Sequence, residues 1–163
     1  MKKTNFNYII YSAIIAFGIG IDQLTKWLAV KYLTKVKTLP LIEDVLHLTY
    51  VENRGAAFGM LADRRWIFIT VSTVTVLALA FLLYSGKLTG RLYSTAIAMI
   101  ISGGIGNMID RIALGYVVDF IDFRLINFAV FNGADSFVCI GAGLLILALI
   151  KEIIKESKNE KQD

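Results

Sequence analysis

Two aspartates stand where an ionised carboxylate is costly. Asp119 lies in Val117-Val118-Asp119-Phe120 and Asp135 closes Phe131-Asn132-Gly133-Ala134-Asp135, and neither has a Lys or Arg within four residues. Two carboxyls facing each other in a low-dielectric site cannot both ionise, so they share one proton. The ionised member can then take a proton from water while its protonated partner hydrogen-bonds a substrate carbonyl, which is acid–base chemistry suited to hydrolysis. Asp122, three residues beyond Asp119, competes for the same role, and spacing alone leaves both open. Other hydrolytic machinery lacks parts. There is no Gly-x-Ser-x-Gly, and the single His47 excludes a His-Glu-x-x-His motif. The single Cys139 excludes an internal disulfide and a cysteine-based zinc cluster.

A second set of polar residues interrupts apolar segments, where an ionisable group costs on the order of 3 kcal/mol near a bilayer centre and faces the bundle interior. Asp22 and Lys26 are four apart and share a helical face. Gly103, Asn107 and Asp110-Arg111 recur at spacings of three and four, again on one face. For Asp22 with Lys26 an i,i+4 ion pair is the simplest role. For Asn107, Asp110 and Arg111 it is interhelical hydrogen bonding, with Ser102, Gly103, Gly104 and Gly106 permitting close packing. Support rather than chemistry is the expectation for both sets. Gly141 and Gly143 read as packing residues, Cys139 as a small buried hydrophobe and His47 as the exposed face of a strand. Lys151, Lys155, Lys158 and Lys161 read as a solvated tail.

The elements that must position these groups follow from composition. The chain has 163 residues, 56% of them hydrophobic, 18% charged and one proline, with a mean hydropathy of +0.65. A chain of this size cannot hide that much apolar surface inside itself, so lipid must solvate part of it. Its charge of +4 is diffuse, which argues against a nucleic-acid partner. One membrane domain covers residues 1–163, with spans at about 8–29, 66–84, 92–112 and 135–154. The fourth apolar run, Phe137 to Ile150, is only 14 residues long and must borrow Asp135-Ser136 or Ile153-Ile154 to cross. The first run passes into Asp22-Gln23-Leu24-Thr25-Lys26 without a small-residue cleavage site and reads as a retained span.

Basic residues set the orientation. With both termini and the Ser85–Arg91 loop inside, eight Lys and Arg fall in 27 residues, against seven in the 58 residues of 31–65 and 112–134. The positive-inside rule therefore favours cytoplasmic termini. Trp27 and Trp66 then mark the outer interface, and Tyr8, Tyr84 and Tyr93 the inner one. Extracytoplasmic segments run over about 30–65 and 113–134. Val45 to Val51 alternates with period two and predicts a short strand. Gly115 to Phe131 is strand-like and strongly apolar, and Gly55 and Gly59 bracket a turn. Residues 31–44 carry no clear pattern. The expected fold is all-α and integral to the membrane: a four-transmembrane-helix bundle with a small β-rich extracytoplasmic subdomain from the first and third loops. Asp22, Lys26, Asn53-Arg54, Gly103, Asn107, Asp110-Arg111, Asp119 and Asp135 then converge on the outer end of the bundle. A small transporter or proton channel also keeps carboxylates inside spans, but its site tends to lie near the midplane with broken helices and a repeat. A noncatalytic scaffold would use Asp119 and Asp135 as structural pairs.

Five stretches occur in order: Asp22-Gln23-Leu24-Thr25-Lys26, Asn53-Arg54-Gly55-Ala56-Ala57-Phe58, Gly103-Gly104-Ile105-Gly106-Asn107-Met108-Ile109-Asp110-Arg111, Val117-Val118-Asp119-Phe120 and Phe131-Asn132-Gly133-Ala134-Asp135-Ser136. Together they resemble the bacterial lipoprotein signal peptidase family, signal peptidase II, over residues of about 8 to 155. The resemblance implies an intramembrane aspartic endopeptidase of the bacterial cytoplasmic membrane, with Asp119 and Asp135 as its catalytic dyad. That choice selects Asp119 over Asp122. It implies a prolipoprotein substrate whose cysteine carries diacylglycerol, cleaved just before that cysteine, with no metal or organic cofactor. Asn53, Gly55, Asn107, Asp110, Arg111, Asn132 and Ala134 would orient the substrate or the dyad, and Asp22 with Lys26 would brace the site. Membrane lipid is the expected surrounding and a monomer the expected state. The segments Val45 to Phe58 and Tyr116 to Phe131 would clamp the substrate peptide, with Gly55 and Gly59 as hinges.

Overall fold

The computed structural model describes residues 2–55, 64–87 and 90–159. Ala56, Ala57, Phe58 and Gly59 of the expected turn, and Lys161 of the expected tail, lie outside the described residues. Four helices dominate: α1 (Lys2–Val36), α2 (Arg65–Tyr84), α3 (Arg91–Ala113) and α4 (Gly133–Asn159). All four are long and apolar enough to cross a membrane. Strands β1 (Thr38–Ile42) and β2 (Leu46–Asn53) lie between α1 and α2, and β3 (Val117–Phe123) lies between α3 and α4. The helices carry their apolar residues outward as well as inward. Val74, Leu77 and Phe81 of α2 are 63%, 64% and 69% exposed, as expected of side chains whose solvent is hydrocarbon.

Helix α3 is the hub, packed against the other three. Its small residues make this possible. A Cβ on Gly103 would stand 2.2 Å from the Ala134 carbonyl oxygen, and one on Gly106 would stand 2.5 Å from Asp22 Oδ2. These two glycines let α4 and α1 approach the α3 backbone directly, the geometry that small residues confer on membrane helices. Gly141 packs similarly against Ala96 of α3, but a Cβ on Gly143 would meet nothing within 4 Å, so Gly143 is not the packing residue expected. An apolar cluster of Tyr11, Leu83, Ile97, Ala98 and Ile101 ties α1, α2 and α3 together at one end.

Helix α1 continues to Val36, past the boundary near residue 29, because nothing between Val30 and Val36 stops it. Lys37 then turns left-handed (φ 66°), and its N–H donates to the Leu33 carbonyl at 2.7 Å. At 1.5 Å per residue the helix is about 52 Å long, well beyond the roughly 30 Å of a hydrocarbon core. The projecting turns form a post for the sheet: Ala29 and Leu33 pack with Val118 of β3, flanked by Leu48 and Tyr50 of β2. The sheet is antiparallel in the order β1-β2-β3. β2 takes in all of the expected Val45–Val51 strand except Val45, whereas β1 arises in the segment without a clear pattern.

Candidate active site

Asp119 owes its position to three elements. Asp110, in the last turn of α3, accepts the Val118 N–H at 3.0 Å and so fixes where β3 begins. β3 then pairs with β2, bringing Val51 opposite Asp119 and Asn53 opposite Val117. From the end of β2, Asn53 Nδ2 donates to Asp119 Oδ2 at 2.9 Å, and Asn53 Oδ1 accepts the Gly55 N–H at 3.0 Å. Asp119 is 1% exposed.

Asp135 reaches the same place by a closed excursion of the chain. After β3 a 3-10 turn (Arg124–Ile126) ends at Asn127 in the left-handed region (φ 48°), and the chain doubles back. Ile121 and Phe131 exchange backbone hydrogen bonds at 2.8 and 3.1 Å, so the residues after Phe131 return to Asp119. Asn132 then caps α4. Its Oδ1 accepts the Asp135 N–H at 3.0 Å, and Asp135 Oδ2 accepts the Asn132 N–H at 3.2 Å. This is a reciprocal capping box, with the carboxylate of Asp135 as its returning arm. The other oxygen, Oδ1, accepts from Asn107 Nδ2 at 2.7 Å. Asn132 Nδ2 donates to Asp119 Oδ1 at 2.6 Å and to Asn107 Oδ1 at 3.0 Å. An unbroken chain of amides therefore runs from one carboxylate to the other.

Both carboxylates line one cavity of about 670 Å³, together with Asn53, Gly55 and Arg111 at its polar end. Its apolar wall includes Phe68, Cys139, Ile140 and the Phe128–Phe131 segment. Burial pushes Asp119 up to about 6, with the hydrogen bond from Asn53 opposing and the charge of Asp135 adding to the rise. The hydrogen bond from Asn132 and the charge of Lys26 pull the other way. Arg111 closes one side, donating to the Gly55 carbonyl at 3.3 Å and lying 4.9 Å over the Phe68 ring. Asp122 is elsewhere. It accepts from Thr49 Oγ1 at 2.7 Å and pairs with Arg124 at 3.1 Å. Burial opposes its ionisation, but these donors outweigh it and hold Asp122 below the usual carboxylate range.

Behind the cavity lies a sealed cluster of charges. Lys26 Nζ meets Asp22 at 2.9 Å and Asp110 at 3.1 Å, and donates to Asn107 Oδ1 at 2.9 Å. Its three protons thus have three acceptors. Asp22 Oδ1 also accepts the Ala134 N–H at 2.7 Å, so α1 helps cap α4. The expected Asp22–Lys26 pair is present, and it belongs to a network joining α1, α3, β3 and α4.

Residues 14–151 match the family model described as signal peptidase (SPase) II. The chain belongs to the signal peptidase II family. A lipoprotein signal peptidase of Caldanaerobacter subterraneus subsp. tengcongensis is 51% identical over 133 residues, covering 81% of this chain and 90% of that one. Another, of Clostridioides difficile, is 46% identical over 144 residues, covering 87% and 95%. A solved structure described as a bacterial membrane enzyme superposes with a TM-score of 0.81 at 32% identity, over 88% of this chain and 89% of that one. Signal peptidase II is a peptidase family, so the chain is placed among membrane-embedded proteases rather than small transporters or scaffold subunits.

The polar residues of the five stretches meet at one end of the bundle, with two different fates: Asp119, Asp135, Asn53, Gly55 and Arg111 line the cavity, whereas Asp22, Lys26 and Asp110 are buried behind it. Asn107 and Asn132 join the two groups, and Ala134 is fully buried beneath Gly103. Two expectations are overturned. Cys139 is exposed, because it lies one turn beyond Asp135 on the cavity side of α4. His47 is 5% exposed, and neither ring nitrogen has a partner among the described residues, because β1 and β3 flank its strand. Gln23 had no assigned role, yet its Nε2 reaches Asp22, the Gly106 carbonyl and Asp110. An amide in an apolar helix beside an aspartate was the available signal. Phe68 and Ser72 of the cavity wall carried no signal, since residues 66–84 read as a span without a charged residue.

Proposed function

We propose that Asp119 and Asp135 are the catalytic pair of an aspartic endopeptidase that removes the signal peptide from diacylglyceryl-modified prolipoproteins, cutting just before the lipidated cysteine. The observation that carries this reading is the pair itself: two carboxylates on one cavity, linked through Asn132 and Asn107, with the more buried one shifted to about 6. The shared proton resides on Asp119, and Asp135 is the base. Asp135 takes a proton from water as its oxygen bonds to the scissile carbonyl carbon, while Asp119 gives its proton to the carbonyl oxygen. On collapse, Asp135 passes its proton to the departing cysteine nitrogen, the C–N bond breaks, and the diol returns a proton to Asp119.

The cavity suits a substrate that is part peptide and part lipid. Asn53, Arg111 and the Gly55 backbone orient the peptide at the polar end, while Phe68, Cys139 and Ile140 face its apolar portion. Asp22, Lys26 and Asp110 hold the helices that carry the pair. The enzyme works as a monomer surrounded by lipid in the bacterial cytoplasmic membrane. Its termini are in the cytoplasm, and the cavity opens toward the outer face, near the spans' exposed Trp27 and Trp66. The chemistry draws on no metal or organic cofactor and on no nucleic acid.

The test is a gel-shift assay with purified protein in detergent, using a diacylglyceryl-modified prolipoprotein beside its unmodified precursor. Cleavage of the lipidated form alone is expected, abolished in Asp119→Asn and Asp135→Asn and kept within about threefold in Asp122→Asn, whose carboxylate is bound to Thr49 and Arg124 and does not line the cavity. Intact substrate with folded wild type, or cutting by both dyad variants, would overturn the proposal.

A further inference from the structure

Opposite the dyad, the bundle holds a second cavity of about 260 Å³ whose lining includes Asn7, Tyr8, Tyr11, Arg91 and Ser94. Sixteen residues of α3 separate Ser94 from Asp110, roughly 24 Å of helix, so the two cavities are independent. Tyr11 is 7% exposed, yet its hydroxyl has no hydrogen-bond partner among the described residues. The ring is buried while the hydroxyl is not sealed off, so this donor is open on the cavity that Tyr11 lines. Helix α3 begins at the same cavity, with Gly90 and Arg91 on its lining and no side chain capping its first turn. A helix amino end of this kind favours an anion.

Arg91 also lines a neighbouring cleft of about 280 Å³, which adds Lys151 and Lys155 from α4. Among the described residues none of these three cations has an ion-pair partner. Among the described residues the carboxylate on that cleft is Glu152, which accepts a hydrogen bond from Tyr93. Three cations against one carboxylate leave the described lining of the clefts net positive. The surrounding surface is the opposite of an aqueous anion site: Ile9, Ile10, Ile150 and Ile154 are exposed along the same helices. Unpaired cations beside a lipid-facing apolar surface describe a receptor for a phosphate that arrives on a hydrocarbon tail.

We infer that this end of the bundle binds the phosphate headgroup of an anionic glycerophospholipid. Tyr11 and Arg91 donate to the phosphate, Lys151 and Lys155 contribute their field, and the acyl chains lie on the exposed isoleucines. The site is separate from the proposed peptidase chemistry and stands whether or not that chemistry is confirmed.

The experiment uses the full chain purified in a neutral detergent, with binding read by native mass spectrometry. The probes are dioleoyl phosphatidylglycerol, dioleoyl phosphatidylcholine and inorganic phosphate. Phosphatidylglycerol is expected to bind about tenfold more tightly than phosphatidylcholine, with inorganic phosphate at millimolar concentration failing to displace it. Arg91→Gln should weaken phosphatidylglycerol about fivefold or more, and Tyr11→Phe about tenfold, because each removes a donor to a charged group. Lys158→Gln, in the tail, should leave binding unchanged. Tyr11→Phe keeps the packing volume, and Arg91 is an exposed residue, so both variants retain the fold. Equal retention of the two lipids, or full binding by both variants, would overturn the site. Displacement by inorganic phosphate would overturn the lipid as its occupant.

Discussion

Two groups of acids share the same end of this bundle and differ in how far their bonding is satisfied. Asp22 and Asp110 are buried with Lys26 between them, and the ammonium has an acceptor for every proton. Asp119 and Asp135 are held by amides instead, with no cation within ion-pair distance among the described residues, and both open on a cavity. A saturated charge cluster has no capacity left for a reactant, and its worth lies in tying four elements together. An amide-held pair keeps its carboxyls oriented without locking either into an ion pair, so each can take up or release a proton. Residue type is the same in both groups, and saturation separates support from chemistry.

The largest effect that would test this contrast is at the open pair. Asp119→Asn or Asp135→Asn should lower kcat by about 10³-fold or more, while the one acceptor each loses should cost only about 1–3 kcal/mol of stability. At the sealed cluster the pattern should reverse. Lys26→Met leaves two buried carboxylates without their cation and should cost about 3–5 kcal/mol of stability, visible as a collapse of the unfolding midpoint in detergent. Asn132 belongs to both groups. Asn132→Ala should cost about 1–2 kcal/mol through the lost cap and also reduce kcat, so its loss should appear in both measurements. The smallest change is a displaced pH profile. The proposed mechanism needs a proton on Asp119, so kcat/KM should fall as pH rises through about 6. Asn53→Ala removes a donor that favours the ionised form, so Asp119 should hold its proton to higher pH and the alkaline limb should move up. A limb that stays in place would mean that Asp119 is not the titrating group.

Much of the architecture was legible because lipid imposes a simple rule: long apolar runs become helices, and the polar residues inside them must find one another. Asp22, Asn107 and Asp110 can be gathered in this way from the sequence. Their individual partners cannot. Asp22 meets the Ala134 N–H 112 residues away, and only the close approach at Gly103 and Gly106 makes that contact possible. β1 stayed hidden because Thr38–Ile42 is short and contains Pro40, which suits an edge strand and breaks the usual pattern. His47 and Cys139 were misread because burial is decided by neighbouring elements, β1 and β3 for one and the cavity for the other. Asp122 could not be separated from Asp119 by spacing, since the difference lies in the hydrogen bond from Thr49 and the ion pair with Arg124, which engage one and not the other.

The capping box at the start of α4 has a consequence for timing. A free aspartate samples several rotamers, and confining it at the moment of reaction would add that lost freedom to every barrier. Here Asp135 is confined when α4 forms, by the same two hydrogen bonds that begin the helix. Its orientation is settled once, during folding, and each later turnover meets a carboxylate already aimed.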